Sequence, residues 1–368
     1  MSKITLISNS TWNLYHFRLP LIIELLNKGY EITLIASEDD YANNLKDLGC
    51  KFYEINFKRK SFNIFENFHL IFLYYFLIKK INPNYIFLFT IKPNIFVTIS
   101  QIFRNVKIIN NITGLGTLVL KGKIIKNLFL CILKIIFIKS FKVITHNSND
   151  LELIKDKFNK NDKFLVIPSM GINLEKYKFK KKIFNSQNKR LNFIFIGRLI
   201  EDKGIYEYLQ AAELINLKHS NIQFSILGEI DKDNHKPVTK IIISKYSKFK
   251  FIKFYKYQKD IRNILYKHDC LVLPSYREGL PRVLLEALSM GIPVLASSVP
   301  GCSSLIINNK TGILFEPKNI DSLIKAIEKF SKLENEKISK MILNGYNHVK
   351  LNFDQKKIVK NYINILNS

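Results

Sequence analysis

The sequence predicts an α/β fold made of two doubly wound parallel sheets, and three observations predict it. Apolar runs of strand length alternate with amphipathic or loop stretches along almost the whole chain, the pattern of repeated βα units. At 368 residues the chain exceeds what one core usually supports, which favours two domains of roughly 180 residues. Near the middle, 178–190 is polar, basic and rich in Asn and Gln, with no apolar periodicity, as a linker would be.

In the first half the strand candidates are 4–8, 31–36, 52–55, 85–89, 107–111 and 141–145, each an apolar run followed by a helical or loop segment. In the second half they are 192–196, 223–227, 250–254, 270–274 and 293–297. Helical crossovers between such strands give parallel order in each sheet. The expected division is an N-terminal domain at 1–178, a linker at 179–190, a C-terminal domain at 191–353 and a last segment at 354–368 with a helical pattern and no strand after it. No internal repeat is visible.

The most informative run is Pro274-Ser275-Tyr276-Arg277-Glu278-Gly279-Leu280-Pro281-Arg282-Val283-Leu284-Leu285-Glu286-Ala287. It places two carboxylates, Glu278 and Glu286, eight positions apart across a strand-to-helix junction. Pro281 suits the first helical position, where a missing N–H costs nothing, and the amides of Gly279 and Leu280 are then expected to face an anion at the positive helix end. At 1.5 Å per residue the two Glu lie roughly 12 Å apart at most, the reach from ribose to hexose in a nucleotide sugar. Each carboxylate can accept two hydroxyl bonds and so hold a diol. Alone, the pair is also what two solvated surface glutamates would look like.

A second run supplies what the first lacks. Phe193-Ile194-Phe195-Ile196-Gly197-Arg198-Leu199-Ile200-Glu201-Asp202-Lys203-Gly204 is an apolar strand ending at Gly197, followed by Arg198 and then Lys203 before a helix beginning near Gly204. Two cations at the C-terminal end of a strand can clamp a departing pyrophosphate.

With these two elements the chain resembles the retaining glycosyltransferases of family 4, over nearly its whole length. Further marks of the resemblance are Met290-Gly291-Ile292-Pro293-Val294-Leu295-Ala296 followed by Gly301 and Gly312. The N-terminal half is similar to a subgroup that builds bacterial surface polysaccharides and lipid-linked oligosaccharides. It shares Trp12-Asn13-Leu14-Tyr15-His16-Phe17-Arg18, Thr90-Ile91-Lys92-Pro93-Asn94-Ile95, Asn110-Asn111-Ile112-Thr113-Gly114-Leu115-Gly116 and Pro168-Ser169-Met170-Gly171-Ile172-Asn173.

The resemblance implies a GT-B fold, two Rossmann-like domains facing across a cleft, with the last helix crossing back to the N-terminal domain. It implies a nucleotide-sugar donor, UDP favoured, and a glycan acceptor on a polyprenyl diphosphate. Transfer would retain the anomeric configuration without a metal or other cofactor, a leaving-phosphate oxygen taking the acceptor proton. The donor-side residues implied are Gly197, Arg198, Lys203, Glu278, Gly279, Leu280, Pro281 and Glu286, with Arg198, Lys203 and Glu278 catalytic. On the acceptor side they are His16, Arg18, Asn111, Thr113 and Gly114, Arg18 being placed to pair with an acceptor phosphate. The glycine-rich first loop of the family is replaced by Ser8-Asn9-Ser10-Thr11, and the His that many relatives bring near the sugar has no clear match. His146 and Asn147, after the strand at 141–145, face the cleft by the strand-end rule. Tyr255 stands where a glycine is common, to stack on a base or cap the sheet.

Charge and composition bound the partners. The formal net charge is +27, and Lys and Arg outnumber Asp and Glu 57 to 30. Residues 57–142 hold twelve Lys, two Arg and one acidic residue, Glu66, a net +13. Within them 66–81 and 118–142 mix apolar residues with Lys, which favours an anionic bilayer surface, although 68–78 also reads as a buried core helix. Neither segment reaches the roughly 20 apolar residues of a membrane span. With no apolar leader before the first strand, the expected location is the cytoplasm, peripheral on the inner face of the membrane.

Cys50, Cys131, Cys270 and Cys302 are scattered, so they read as small core residues and not as a disulfide framework or metal site. Asp231-Lys232-Asp233 matches a metal-binding D-x-D, but it follows a strand in a polar loop and is read as a decoy. Two other functions fit less well. A nucleotide-sugar 2-epimerase shares the architecture but needs cleft acids and bases not evident here, and nucleic-acid binding rests on charge alone.

Overall fold

The computed structural model describes residues 2–55, 64–112, 123–155, 162–182, 190–231 and 236–367. They form two units, Met1–Met170 with Gln355–Ser368, and Gly171–Asp354.

The first unit runs β1 (Lys3–Ile7), α1 (Thr11–Asn27), β2 (Glu31–Ala36), α2 (Ala42–Lys46), β3 (Lys51–Glu54), α3 (Ile64–Ile81), β4 (Tyr85–Phe89), α4 (Ile91–Ser100), β5 (Lys107–Ile112), α5 (Lys123–Lys139), β6 (Lys142–Thr145), α6 (Ser148–Lys155) and β7 (Phe164–Val166). Its sheet is parallel, in the order β3-β2-β1-β4-β5-β6-β7. Strands such as Tyr-Ile-Phe-Leu-Phe are apolar at every position because both faces are covered. Alternate residues then sort into two cores. Leu6, Phe87, Phe89 and Ile109 meet α1 on one face, and Ile7, Ile86, Leu88 and Ile108 meet α3 and α4 on the other.

The second unit runs β8 (Leu191–Ile196), a 3₁₀ turn at Glu201–Lys203, α7 (Ile205–Asn216), β9 (Ile222–Leu227), α8 (Lys240–Tyr246), β10 (Ile252–Tyr255), α9 (Arg262–Tyr266), β11 (Cys270–Leu273), α10 (Arg282–Met290), β12 (Val294–Ser297), α11 (Pro300–Ser303), β13 (Ile313–Phe315), α12 (Ile320–Ser331) and α13 (Asn335–Asn352). Its parallel sheet has the order β10-β9-β8-β11-β12-β13. The direction of winding reverses between β8 and β11, and ligands of such sheets sit outside the carboxyl ends of strands at this reversal. The last helix, α14 (Gln355–Leu366), belongs to the first unit, where Ile358, Tyr362 and Ile363 enter the core with Leu14 and Phe87. The Tyr85 hydroxyl donates to the Leu366 carbonyl at 3.0 Å and fixes its end.

The structure departs from the sequence expectation in several places. The division falls at Gly171, ahead of the expected linker at 179–190 and of the expected 1–178 boundary. The reason is apolar anchoring, since Tyr177 is buried in the second unit's core, and Phe179 lies 4.6 Å from the Tyr346 ring. Lys182 forms an ion pair with Asp269 at 2.9 Å. Residues 183–189 lie outside the described residues. Strands β7 and β13 add to the strands expected from sequence; at three residues each they are too short to stand out from flanking loops. Pro281 is not the first helical residue but the N-cap of α10, with ψ 112°. Cys50, Cys270 and Cys302 are buried, whereas Cys131 is exposed.

Candidate active site

The turn after β8 and the turn after β11 meet beside the winding reversal, because β8 and β11 are neighbours in the sheet. Gly204 makes the close approach possible. It has φ +70°, and a Cβ there would stand 2.0 Å from the Pro274 carbonyl oxygen, so only glycine fits. The Tyr276 amide donates to the Asp202 carbonyl at 2.9 Å, and the Tyr276 hydroxyl to Glu207 Oε1 at 2.6 Å. These two bonds fasten the acidic turn to the basic one.

Lys203 and Glu278 are joined by this packing. Lys203 Nζ lies 2.5 Å from Glu278 Oε1, with the two side chains 21% and 11% exposed. Behind them Gly301 backs the acidic turn, since a Cβ there would lie 2.5 Å from both the Glu278 and Gly279 carbonyl oxygens. Leu280 packs against the apolar core under α10.

Arg198 follows Gly197 and pairs with Asp231 at 2.6 Å, with half of its side chain exposed. Both line a cavity of about 550 Å³ at the carboxyl ends of β8 and β9, together with Gly197, Glu229, Tyr257 and Gln258. Asp231, read from sequence as a decoy, is thus the partner of a predicted site residue. No sequence signal could have found that ion pair, because it depends on the turn after β9 folding back on the turn after β8. Among the described residues no three His, Cys, Asp or Glu side chains gather as a metal site, and Asp233 lies outside the described residues.

Glu286 stands apart from this pair. It is buried on α10, where Arg282 Nε donates to its Oε1 at 3.0 Å and Tyr177 bonds to it. Burial raises its pKa, and Arg282 and Tyr177 oppose the shift. The basic turn is thus tied to carboxylates at two places, Arg198 to Asp231 and Lys203 to Glu278.

The expected acceptor residues have a different character. His16, on α1, stacks on the Trp12 ring at 4.6 Å, with Nδ1 3.0 Å from the Trp12 carbonyl oxygen. Arg18, expected to pair with an acceptor phosphate, turns inward and is 2% exposed, its guanidinium 4.1 Å from the centroid of Phe89. It bonds to Tyr362, while Nε and Nη1 have no hydrogen-bond partner among the described residues. Asn111 is also buried. It donates to the Leu88 carbonyl at 3.1 Å and accepts from the Tyr362 hydroxyl at 2.7 Å, so both ends of its amide serve the fold. Thr113 and Gly114 lie outside the described residues. His146 is buried beside Arg18, and burial with that cation lowers its pKa to about 3. Asn147 caps α6, accepting from the Asp150 amide at 2.7 Å. Tyr255 meets His268 edge-on at 5.9 Å.

Two parallel sheets of this winding, the second carrying a basic and an acidic turn fastened together at its reversal, are the architecture of the GT-B fold. Residues 3–147 match the family described as Glycosyl transferase 4-like and residues 176–348 that described as Glycosyl transferases group 1, and the chain belongs to these glycosyltransferases. It is 26% identical to the N,N'-diacetylbacillosaminyl-diphospho-undecaprenol alpha-1,3-N-acetylgalactosaminyltransferase of Campylobacter jejuni, over 99% of this chain and 98% of that one. It is 31% identical to the UDP-Gal:alpha-D-GlcNAc-diphosphoundecaprenol alpha-1,3-galactosyltransferase of Escherichia coli, over 56% of each. Sucrose-phosphate synthase from Thermosynechococcus elongatus has the same fold, with TM-score 0.81 and 17% identity over 100% of this chain and 98% of that one. So does Anabaena HepE in complex with UDP and glucose, with TM-score 0.77 and 15% identity over the whole of both chains.

Proposed function

We propose that this enzyme moves a hexose or N-acetylhexosamine from a UDP-sugar to a glycan carried on a polyprenyl diphosphate, with retention at the anomeric carbon and without a metal. The observation that carries the reading is the Lys203–Glu278 pair at the β8/β11 reversal, on the same β8 turn whose Arg198 rims a cavity at the carboxyl ends of β8 and β9. Diphosphate oxygens entering there replace the two carboxylates on Arg198 and Lys203. The cations then hold the charge that grows on the leaving group as the glycosidic C–O bond breaks. Glu278, released from Lys203, accepts hydroxyls of the transferred sugar. A leaving-phosphate oxygen takes the proton of the acceptor hydroxyl as the new C–O bond forms on the same face, so atoms and charge balance without an added base.

The donor-side backbone is assigned to Gly197, Gly279, Leu280 and Pro281, and Glu286 is held ready on α10 by Arg282 and Tyr177. The acceptor is assigned to the first unit, at the carboxyl ends of β1 and β5, where His16, Arg18 and Asn111 lie. The names of the Campylobacter and Escherichia relatives support an undecaprenyl diphosphate acceptor, and the Escherichia name and the HepE complex support UDP. We propose with this acceptor a peripheral location on the inner face of a bacterial membrane.

The test is incubation with radiolabelled UDP-sugars and undecaprenyl-diphosphate-linked mono- and disaccharides, with and without EDTA. Label moving to the lipid at equal rates in both, in an α linkage from an α donor, is the expected result. Release of an epimerised sugar without transfer would replace the reading with an epimerase. A strict Mg²⁺ requirement would bring Asp231 and Asp233 back as ligands.

A further inference from the structure

Helix α3 is apolar on two faces, and only one of them is buried. Leu70, Tyr74, Ile78 and Ile81 enter the core over β4 and β1. On the other side Phe68, Phe72 and Phe76, one turn apart, are 58–64% exposed, with Leu73 beside them. Lys79 and Lys80 close the same helix and are exposed.

The neighbouring elements repeat the arrangement. α3 packs on α4 and α4 on α5. α5 buries Leu133, Ile136 and Phe137 and exposes Cys131, Lys134, Ile135 and Ile138 at helical spacing. In the turn leaving α4, Phe103 is 99% exposed, and Lys139 of α5 holds that turn by donating to the Arg104 carbonyl at 2.5 Å. Large aromatic side chains exposed in a row are costly in water.

We infer that the α3–α4–α5 layer of the first unit is a docking face for an anionic lipid bilayer, with Phe68, Phe72, Phe76 and Phe103 entering the headgroup boundary and Lys79, Lys80 and Lys134 meeting lipid phosphates. Charge decides between a bilayer and an apolar protein partner. On the described part of this layer Lys79, Lys80 and Lys134 are exposed and no described side chain of α3, α4 or α5 is acidic, which suits an extended anionic surface. The helix lies on the surface and does not span it, since no described helix is long and apolar enough to cross. Long lysine stems beside buried rings let the charge stay at the headgroups. The inference rests on the proposed membrane-borne acceptor only for why such a face is useful; the vesicle binding that decides it needs neither donor nor acceptor.

The full chain is floated with vesicles of phosphatidylcholine alone and of phosphatidylcholine with 30% phosphatidylglycerol, about 0.15 M salt being present to screen weak contacts. Wild type is expected to float with the anionic vesicles only. The triple variant Phe68→Ser, Phe72→Ser, Phe76→Ser is expected to lose roughly 30-fold or more in partition coefficient, and Lys79→Glu with Lys80→Glu roughly 30-fold or more. These side chains lie outside the core, so circular dichroism melts should match wild type and report folding. Transfer to a water-soluble, short-chain acceptor should be unchanged in both variants, which separates this face from the proposed chemistry. Flotation of the triple variant equal to wild type, or failure of wild type to bind anionic vesicles, would overturn the inference. So would a lipid-free dimer that the triple variant converts to monomer, since the face would then be a subunit contact.

Discussion

Replacing Lys203 by Ala removes one half of the 2.5 Å pair with Glu278 and one of the two cations at the β8 turn. Two effects follow, and they can be measured separately. If Lys203 stabilises the leaving diphosphate, loss of one such donor lowers kcat by about 10²-fold or more, near 2.7 kcal/mol at the transition state. The stability effect is smaller. Breaking a fully buried pair costs about 3–5 kcal/mol, but these side chains are 21% and 11% exposed, so solvent screening brings the figure to about 1–3 kcal/mol. A unit of this size then melts a few degrees lower, at about 2–4 °C per kcal/mol. Transfer assays near 20 °C would therefore read the chemistry and not unfolding.

Glu278→Gln and the double variant complete a cycle. Gln is expected to cost about 10²-fold alone and much less in the Lys203→Ala background, because the two groups share one geometry. Activity of Lys203→Ala within threefold of wild type would refute the assignment. Strictly multiplicative losses across the cycle would refute the coupling.

Other outcomes are equally specific. Gly301→Ala should cut kcat/KM by about 10²-fold with a modest change in melting, because its Cβ would push the Glu278–Gly279 carbonyls from 2.5 Å and misplace the turn by the order of an ångström; steady-state kinetics with normal constants would contradict this. Tyr362→Phe should cost about 1–3 kcal/mol in urea unfolding, since it leaves the buried Asn111 Oδ1 and Arg18 short of a partner. His146 is held neutral in the fold, with its pKa lowered from 6.5 to about 3 by burial and Arg18. Its stabilisation is present above the unfolded value of about 6.5 and is lost as pH falls towards 3, on the order of 4 kcal/mol. His146→Gln should flatten the stability curve across that window relative to wild type, and identical curves would remove His146 as the cause.

Legibility in the sequence followed how local the signal was. The strand runs were plain because a parallel strand covered on both faces must be apolar throughout, as in β4 and β8. The basic and acidic turns were plain too, since strand-end position fixes which residues reach the sheet mouth. Long-range pairing was not. Asp231 meets Arg198 across 33 residues, and Tyr177 reaches Glu286 from the stretch before the expected linker. Nothing at either position announces its partner. Arg18 and Asn111 show the opposite limit. Their motif places them near a strand end, but α14, more than 240 residues away, supplies Tyr362 and draws both into a buried network. A helix arriving from the far end of the chain cannot be read from the residues it covers. The exposed side of α3 was ambiguous for a simpler reason, because a helix apolar on both faces gives no period to say which side is wet.

The most direct test of the account is a crystal structure of the chain with UDP bound. The diphosphate is expected about 3 Å from the Arg198 guanidinium and the Lys203 ammonium, with Asp231 and Glu278 displaced from both. A diphosphate bound elsewhere, with the Arg198–Asp231 and Lys203–Glu278 pairs intact, would contradict it.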